Sequence, residues 1–139
     1  MVLKLTLVFL SLIQAPFIQG ANISALWDYD FSGSPVCTTA GAVGCLDHFE
    51  IGTLQGGAFT LLQSVPMLMG ANGPLVGIST NFNFPNPPVG PVTFSVIAVG
   101  RDLSGVRVVS DPTKTTVTFT FGPPNFTVLS PTNFKIQVR

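Results

Sequence analysis

The side chains that could carry out acid–base or nucleophilic chemistry are few in this chain. His48 is its one histidine, and it stands between Asp47 and Glu50 in a stretch that alternates like a β-strand. Neighbouring residues of a strand point to opposite faces, so we expect Asp47 and His48 to face away from each other. Catalysis needs a nucleophile or a base held by an orienting partner, and the sequence predicts no such arrangement. We therefore expect no enzymatic activity and no cofactor.

Acidic residues offer one alternative, a small metal site. Asp28 and Asp30 share a face of one strand, and with Asp47 they would form a weak calcium site if the fold gathered them at one pole. The same residues are typical turn formers and solvated charges, and the composition favours that interpretation. The chain has no glycine-rich phosphate loop and no zinc-ligand spacing. We predict no metal site.

The two cysteines, Cys37 and Cys45, are separated by a short segment of small residues. In an oxidising compartment, an isolated pair this close usually forms a disulfide. A metal site needs three or four ligands, and His48 is the one further candidate nearby. We predict a Cys37–Cys45 disulfide that stabilises the fold by roughly 2.5 kcal/mol in the chain-entropy estimate.

The first 20 residues predict export. Lys4 precedes the apolar run Leu5–Ile13, which is followed by Pro16 and by Gly20 at the predicted cleavage site, the pattern of a secretory signal peptide. A buried strand and a membrane anchor are the alternatives, although Pro16 interrupts a run that is short for a membrane span. We expect residues 1–20 to be a signal peptide. The mature chain is then secreted, extracellular or periplasmic, or held at the cell surface, without stable membrane insertion.

Composition narrows the class of protein. The chain has 139 residues, a formal net charge of zero and 9% charged residues, against roughly 25% in ordinary soluble domains. A nucleic-acid binder or a polybasic membrane-surface protein needs a much higher density of charge. The apolar fraction of 46% is sufficient for a core, and the length suits one domain. We therefore expect no nucleic-acid partner.

The remaining chain up to residue 121 alternates apolar and polar residues in short runs, which predicts β-strands. Glycine-rich and proline-rich stretches separate these runs, and no stretch longer than one turn has helical spacing. The runs cover residues 22–29, 48–53, 58–62, 75–84, 92–99, 106–110 and 114–121. The pattern predicts an all-β fold, either an antiparallel sandwich or a small barrel.

Three of these runs resemble strands of a fibronectin type III domain. Ile23-Ser-Ala-Leu-Trp27 is similar to the family's second strand, which ends in a buried Trp. Phe49-Glu-Ile51 is similar to the third strand, and Phe94-Ser-Val-Ile-Ala98 to the sixth. Phe94 replaces the usual Tyr of the sixth strand, and the family's first strand has no counterpart between the predicted signal peptide and Ile23.

The resemblance covers residues 21–121 and implies an immunoglobulin-like antiparallel β-sandwich. It also implies a core built on Trp27, Phe49, Ile51, Phe94, Val96 and Ala98. Fibronectin type III domains are mostly binding and spacer modules, so we expect a non-catalytic module for protein binding or structural spacing. Its partner would be an unidentified protein or surface polymer. The alternatives are a subunit of a surface filament or adhesin that assembles by strand exchange, and a carbohydrate-binding accessory module.

Residues 122–139 form a C-terminal tail after the last predicted strand. Asn133–Val138 alternates polar and apolar residues, which predicts one further strand with one buried face. Such a strand, antiparallel to residues 22–29, would cover an edge that proteins seldom leave exposed. A frayed terminus, the start of another domain and pairing with a neighbouring molecule are the alternatives.

Overall fold

The computed structural model describes residues 20–122, the backbone of Val2–Leu7, and Gln137. These residues form eight β-strands and no helix, which confirms the predicted all-β class. None of the described residues belongs to a helix long and apolar enough to cross a membrane. The strands are β1 Val2–Leu7, β2 Ala21–Asp30, β3 Cys45–Gln55, β4 Ala58–Pro66, β5 Pro74–Phe84, β6 Gly90–Arg101, β7 Arg107–Val109 and β8 Thr116–Phe121.

The strands form two antiparallel sheets that pack as a sandwich, as the sequence predicts. Sheet A has the order β1-β2-β5, and sheet B has the order β4-β3-β6, with β7 and β8 both paired to β6. β8 lies along the first half of β6 and β7 along its end. The last edge of sheet B is therefore one interrupted strand: Ser110 and Thr115 still form backbone hydrogen bonds to β6, and the chain leaves the ladder between them.

Glycine permits the tight hairpin between β3 and β4. Gly56 and Gly57 have φ angles of 57° and 84°, which suit the two central positions of a hairpin turn and are costly for other residues. Within the same hairpin, the strands approach so closely that a Cβ at Gly52 would clash with the carbonyl oxygen of Thr60. The pairing register shifts beside this glycine, between Ile51 and Gly52.

The core lies between the two sheets and is rich in phenylalanine. Trp27 on β2 packs edge-to-face against Phe49 on β3, with ring centroids 5.3 Å apart, and Phe94 on β6 packs against Phe84 on β5 at 5.4 Å. Edge-to-face pairs of this kind add to the stability that burial alone provides. The six residues that the family resemblance assigns to the core are all buried: Trp27, Phe49, Ile51, Phe94, Val96 and Ala98.

β6 is buried on both of its faces. Its outward-facing residues Ser95, Ile97 and Val99 are as inaccessible as the core residues between them. The segment between β7 and β8 covers part of this face: the Ser95 hydroxyl donates a 2.6 Å hydrogen bond to the carbonyl of Pro112. Burial on both faces explains why this strand has the longest apolar run of the domain.

The first strand differs from the expectation drawn from the family resemblance. The sequence favours a signal peptide over residues 1–20, with a buried strand as one alternative, and β1 pairs antiparallel to β2 from Val2 opposite Leu26 to Leu7 opposite Ala21. A short run with leucine at alternate positions fits an edge strand as well as the apolar part of a signal peptide. Residues 8–19 and most of the tail lie outside the described residues, so signal cleavage and the tail strand remain predictions.

Candidate functional site

The histidine lies on the outer face of sheet B, beside a β-bulge. Leu46 stands opposite Gly100, but His48 stands opposite Val99, so Asp47 is an extra residue in the ladder. The bulge breaks the alternation of the strand, and Asp47 Oδ2 lies 3.3 Å from His48 Nδ1. The expectation that these two side chains face apart is therefore wrong, because it assumed a regular strand.

A buried carboxylate adjoins this histidine. The Glu50 side chain is 7% exposed, and its two oxygens accept hydrogen bonds of 3.2 and 2.9 Å from the two terminal nitrogens of Arg107. His48 Nε2 lies 3.0 Å from Glu50 Oε1. Arg107 belongs to β7 and reaches across β6 to β3. A bidentate arginine–carboxylate pair is among the stronger polar contacts in proteins.

The Glu50 cluster, formed by Asp47, His48, Glu50 and Arg107, is suited to holding strands together. Both Glu50 oxygens are engaged by Arg107, so this carboxylate is poorly placed to act as a base. Both imidazole nitrogens of His48 face carboxylates instead of a hydroxyl or thiol nucleophile. The cluster instead connects β7 to β3 over the buried outer face of β6. Arg107 was not predicted, since it lies 57 residues from Glu50 and no motif links the two.

Two of the aspartates considered for calcium, Asp28 and Asp30, bind separate backbone groups. Asp28 accepts a 2.9 Å hydrogen bond from the Gly77 backbone N–H. Asp30 accepts bonds from the Ser32 hydroxyl and backbone N–H, which lower the pKa of its carboxyl below the ordinary 3.8. Over residues 20–122, no three histidine, cysteine or acidic side chains are placed to hold a metal ion.

The predicted disulfide is present and organises the loop between β2 and β3. Cys37 and Cys45 are bonded, with their Cα atoms 5.0 Å apart. Next to the bond, Cys37 N–H donates to the Leu46 carbonyl and Leu46 N–H donates to the Pro35 carbonyl, each at 2.8 Å. Gly44 N–H donates to the Arg101 carbonyl at 2.8 Å. The disulfide loop is therefore held against the end of β6.

Three loops meet at this end of the sandwich, which we call the disulfide pole: residues 31–44, 67–73 and 102–106. Their tips carry large aliphatic side chains that are well exposed, and Leu103 is 86% accessible. The opposite pole, with the β3–β4 turn and residues 85–89, has one such side chain in its loops, Val89. The exposed aliphatic residues of the disulfide pole are Val43, Leu68, Met69, Leu103 and Val106.

Two of these loops pack against each other through glycines. The Leu103 side chain comes within 2.8 Å of where a Cβ on Gly44 would lie, and the Val43 side chain within 3.8 Å of one on Gly105. The Asp102 carboxylate holds the second loop in shape by accepting 2.9 Å hydrogen bonds from two backbone N–H groups within it. The apolar tips therefore project from a hydrogen-bonded loop. Val43 and Leu103 each stand among turn-forming residues in the sequence. The sequence therefore predicts loops at these positions but does not reveal an apolar surface.

The outer face of sheet A carries a group of uncharged polar side chains on β2 and β5. A shallow depression of about 290 Å³ is lined by Asn22, Ile23, Ser24, Asn81, Phe82 and Asn83. Its polar side chains bond to one another: the Ser24 hydroxyl donates to the Asn81 side chain at 2.6 Å, and the Asn83 amide donates to the Asn22 side chain at 3.3 Å. The face therefore has fewer polar groups available to a ligand than its composition indicates.

No family model, curated protein or solved structure matches this chain. The architecture is accordingly defined by its own strands, two antiparallel sheets closed around a phenylalanine-rich core. We take the disulfide pole as the candidate functional site because its loops expose large aliphatic side chains.

Proposed function

We propose that the protein is a non-catalytic β-sandwich module of the fibronectin type III kind, which binds a protein partner outside the cell. The residues behind the family resemblance support this proposal. Trp27 lies in the second strand of the chain, Phe49 in the third and Phe94 in the sixth, the same places that the resembling strands hold in the family. In this count the first strand is β1, which lies within the predicted signal peptide and belongs to the chain before processing.

The observation that carries the binding function is the apolar disulfide pole. Five large aliphatic side chains are exposed in the loops of this pole, and exposed apolar surface commonly marks contact sites. The charged groups nearby make bonds within the fold, as Asp102 does with its own loop. Burying the exposed leucine tips against a partner would remove apolar surface from water at about 25 cal/mol per Å².

The predicted export and the disulfide support a location outside the cytoplasm. Disulfides persist in oxidising compartments and are rare in the cytosol. Cys37–Cys45 closes the loop from which Val43 projects, so oxidation also helps to shape the proposed binding surface.

Binding is tested by capturing partners with paired surface variants. The double variant Leu68→Ser/Leu103→Ser removes two exposed tips from the disulfide pole, and Val89→Ser removes a similar side chain from the opposite pole. Secreted and surface proteins of the source organism are passed over each immobilised variant, after circular dichroism has shown the same fold. We expect wild type and Val89→Ser to retain the same partner and the double variant to lose it. Equal retention by all three would contradict the proposal.

The non-catalytic part is tested with chromogenic ester, glycoside and peptide substrates. We expect no turnover above the buffer rate, because Arg107 holds both Glu50 oxygens and both imidazole nitrogens of His48 face carboxylates instead of a hydroxyl or thiol nucleophile. Turnover that His48→Ala abolishes, with the fold intact, would show that the Glu50 cluster is a catalytic site.

Assembly by strand exchange is the second candidate function, and one observation favours it. The strand that covers the edge of β2 lies within the predicted signal peptide, so export would expose this edge to pairing with another chain. Size-exclusion chromatography of the secreted protein over a range of concentrations distinguishes the two: a concentration-dependent oligomer supports strand exchange. A carbohydrate-binding module has less support, since Trp27 is buried and offers no platform to a sugar.

A further inference from the structure

The two ends of the chain carry the same five-residue pattern. Leu3-Lys-Leu-Thr-Leu7 near the N-terminus and Phe134-Lys-Ile-Gln-Val138 near the C-terminus both read apolar, lysine, apolar, uncharged polar, apolar. The first of these segments lies within β1, the edge strand of sheet A. The second lies in the tail.

The β1–β2 register shows what the edge of β2 requires of a partner strand. Leu3, Leu5 and Leu7 stand opposite Ala25, Ile23 and Ala21, which are between 0% and 1% exposed and belong to the core. The two intervening positions of β1 stand opposite residues of the outer face of sheet A. A partner strand must therefore bring apolar residues to three alternate positions and polar residues to the two between.

Removal of the predicted signal peptide would take β1 away and leave this edge open. A free edge presents unpaired backbone N–H and C=O groups and is a template for another strand. We propose that, in the processed protein, residues 133–138 of the same chain replace β1 along β2. Phe134 then stands opposite Ala25, Ile136 opposite Ile23 and Val138 opposite Ala21.

In this register the polar residues of the tail also match. Lys135 takes the place of Lys4 opposite Ser24, and the next polar residue of the tail takes the place of Thr6 opposite Asn22. A shift by one residue would turn the lysine toward the core and the phenylalanine toward water, so the pattern specifies one register.

The tail begins close enough to reach this edge. β8 ends at Phe121, whose ring lies 5.7 Å from that of Phe84, and Phe84 is paired with Ala21 at the start of β2. Twelve residues, 122–133, span up to about 40 Å at roughly 3.3 Å per residue. The distance to cover is smaller, about 13 Å along β2 and about 10 Å between the sheets.

The short connection also favours pairing of β2 with the tail of its own chain over pairing with the tail of a neighbouring molecule. A strand tethered by a linker of this length has an effective concentration in the millimolar range. A second copy of the protein at micromolar concentration competes poorly with it. The proposed occupant of the β2 edge is therefore the tail of the same molecule.

The inference is tested by a disulfide placed across the new strand pair. Residues directly opposite on antiparallel strands have Cα atoms about 4.5–5.5 Å apart, within the range that a disulfide bridges. The double variant Ser24→Cys/Lys135→Cys is prepared as the full chain and as the processed protein, both mildly oxidised. Ser24→Cys/Ile136→Cys is the control, because its second cysteine belongs on the opposite face. Peptide mass mapping identifies the bonds, and hydrogen exchange of the β2 amides in the wild-type protein gives an independent measurement.

In the processed protein we expect a disulfide between positions 24 and 135 of the same molecule. In the full chain we expect this bond to be absent. The control bond between positions 24 and 136 should form in neither protein. We also expect the β2 amides of the processed wild-type protein to stay protected from exchange. A bond between two molecules would overturn the inference in favour of strand exchange. No bond together with unprotected β2 amides, or the same bond in both forms, would also overturn it.

Discussion

Replacing Arg107 with alanine removes the main partner of a buried carboxylate. The Glu50 side chain is 7% exposed and both of its oxygens are held by Arg107. Two unit charges about 4 Å apart attract each other by about 4 kcal/mol at an effective dielectric constant of 20. Deleting one member of a fully buried pair costs about 3–5 kcal/mol. The Arg107 side chain is 52% exposed, so water screens this pair, and we expect Arg107→Ala to lower the free energy of unfolding by about 2–3 kcal/mol.

Urea unfolding followed by circular dichroism measures this loss. Arg101→Ala is the matched control, because Arg101 is exposed and its side chain makes one 3.3 Å bond to the Gly105 carbonyl; its loss should stay below about 0.5 kcal/mol. Adding Glu50→Gln to Arg107→Ala should recover part of the stability, since a neutral amide costs less to bury without its partner than a carboxylate does.

Two results would refute the reasoning. One is an Arg107→Ala variant whose free energy of unfolding lies within about 0.5 kcal/mol of wild type. The other is a double variant that is no more stable than Arg107→Ala alone. Either would mean that Glu50 is not held as a buried charge.

Three further predictions concern the core, the disulfide and acid stability. Trp27→Ala removes a buried ring packed on Phe49 and should cost about 3–5 kcal/mol in urea unfolding; a loss below about 1 kcal/mol would exclude its core role. Replacing Cys37 and Cys45 with serine should cost roughly 2.5 kcal/mol, and an unchanged melting temperature would contradict this. Because its pKa is lowered on folding, Asp30 stabilises the fold above the ordinary aspartate pKa and loses this effect as pH falls through the lower folded-state value. Asp30→Asn should therefore be less stable than wild type at pH 7 but not in strong acid, and a pH-independent difference would argue otherwise.

Most of the fold can be predicted from the sequence because apolar and polar residues alternate along its strands. In β2 and β6, residues such as Ala25 and Ala98 fall on the buried face by alternation alone, and Gly56-Gly57 marks the hairpin turn. The disulfide is equally local, since Cys37 and Cys45 lie eight residues apart. Local patterns of this kind need no knowledge of which strands pair.

The features that escaped prediction depend on pairing between distant strands. The contact of Asp47 with His48 requires a bulge, which arises only when β3 is set against β6. Arg107 meets Glu50 because β7 and β3 flank the same strand. The surface at the disulfide pole likewise needs three loops brought to one end of the sandwich. None of these leaves a fixed spacing in the sequence.

Trp27 gives the protein an optical reporter of its own core. It is the one tryptophan of the chain, it is 3% exposed, and its indole N–H has no hydrogen-bond partner among the described residues. An indole in such apolar surroundings emits at short wavelength, and its emission moves to the red when water reaches the ring. Every change in tryptophan emission, excited where Tyr29 does not absorb, therefore comes from one known position on β2. The neighbouring Phe49 ring belongs to the other sheet, so the emission reports whether the two sheets are closed on each other.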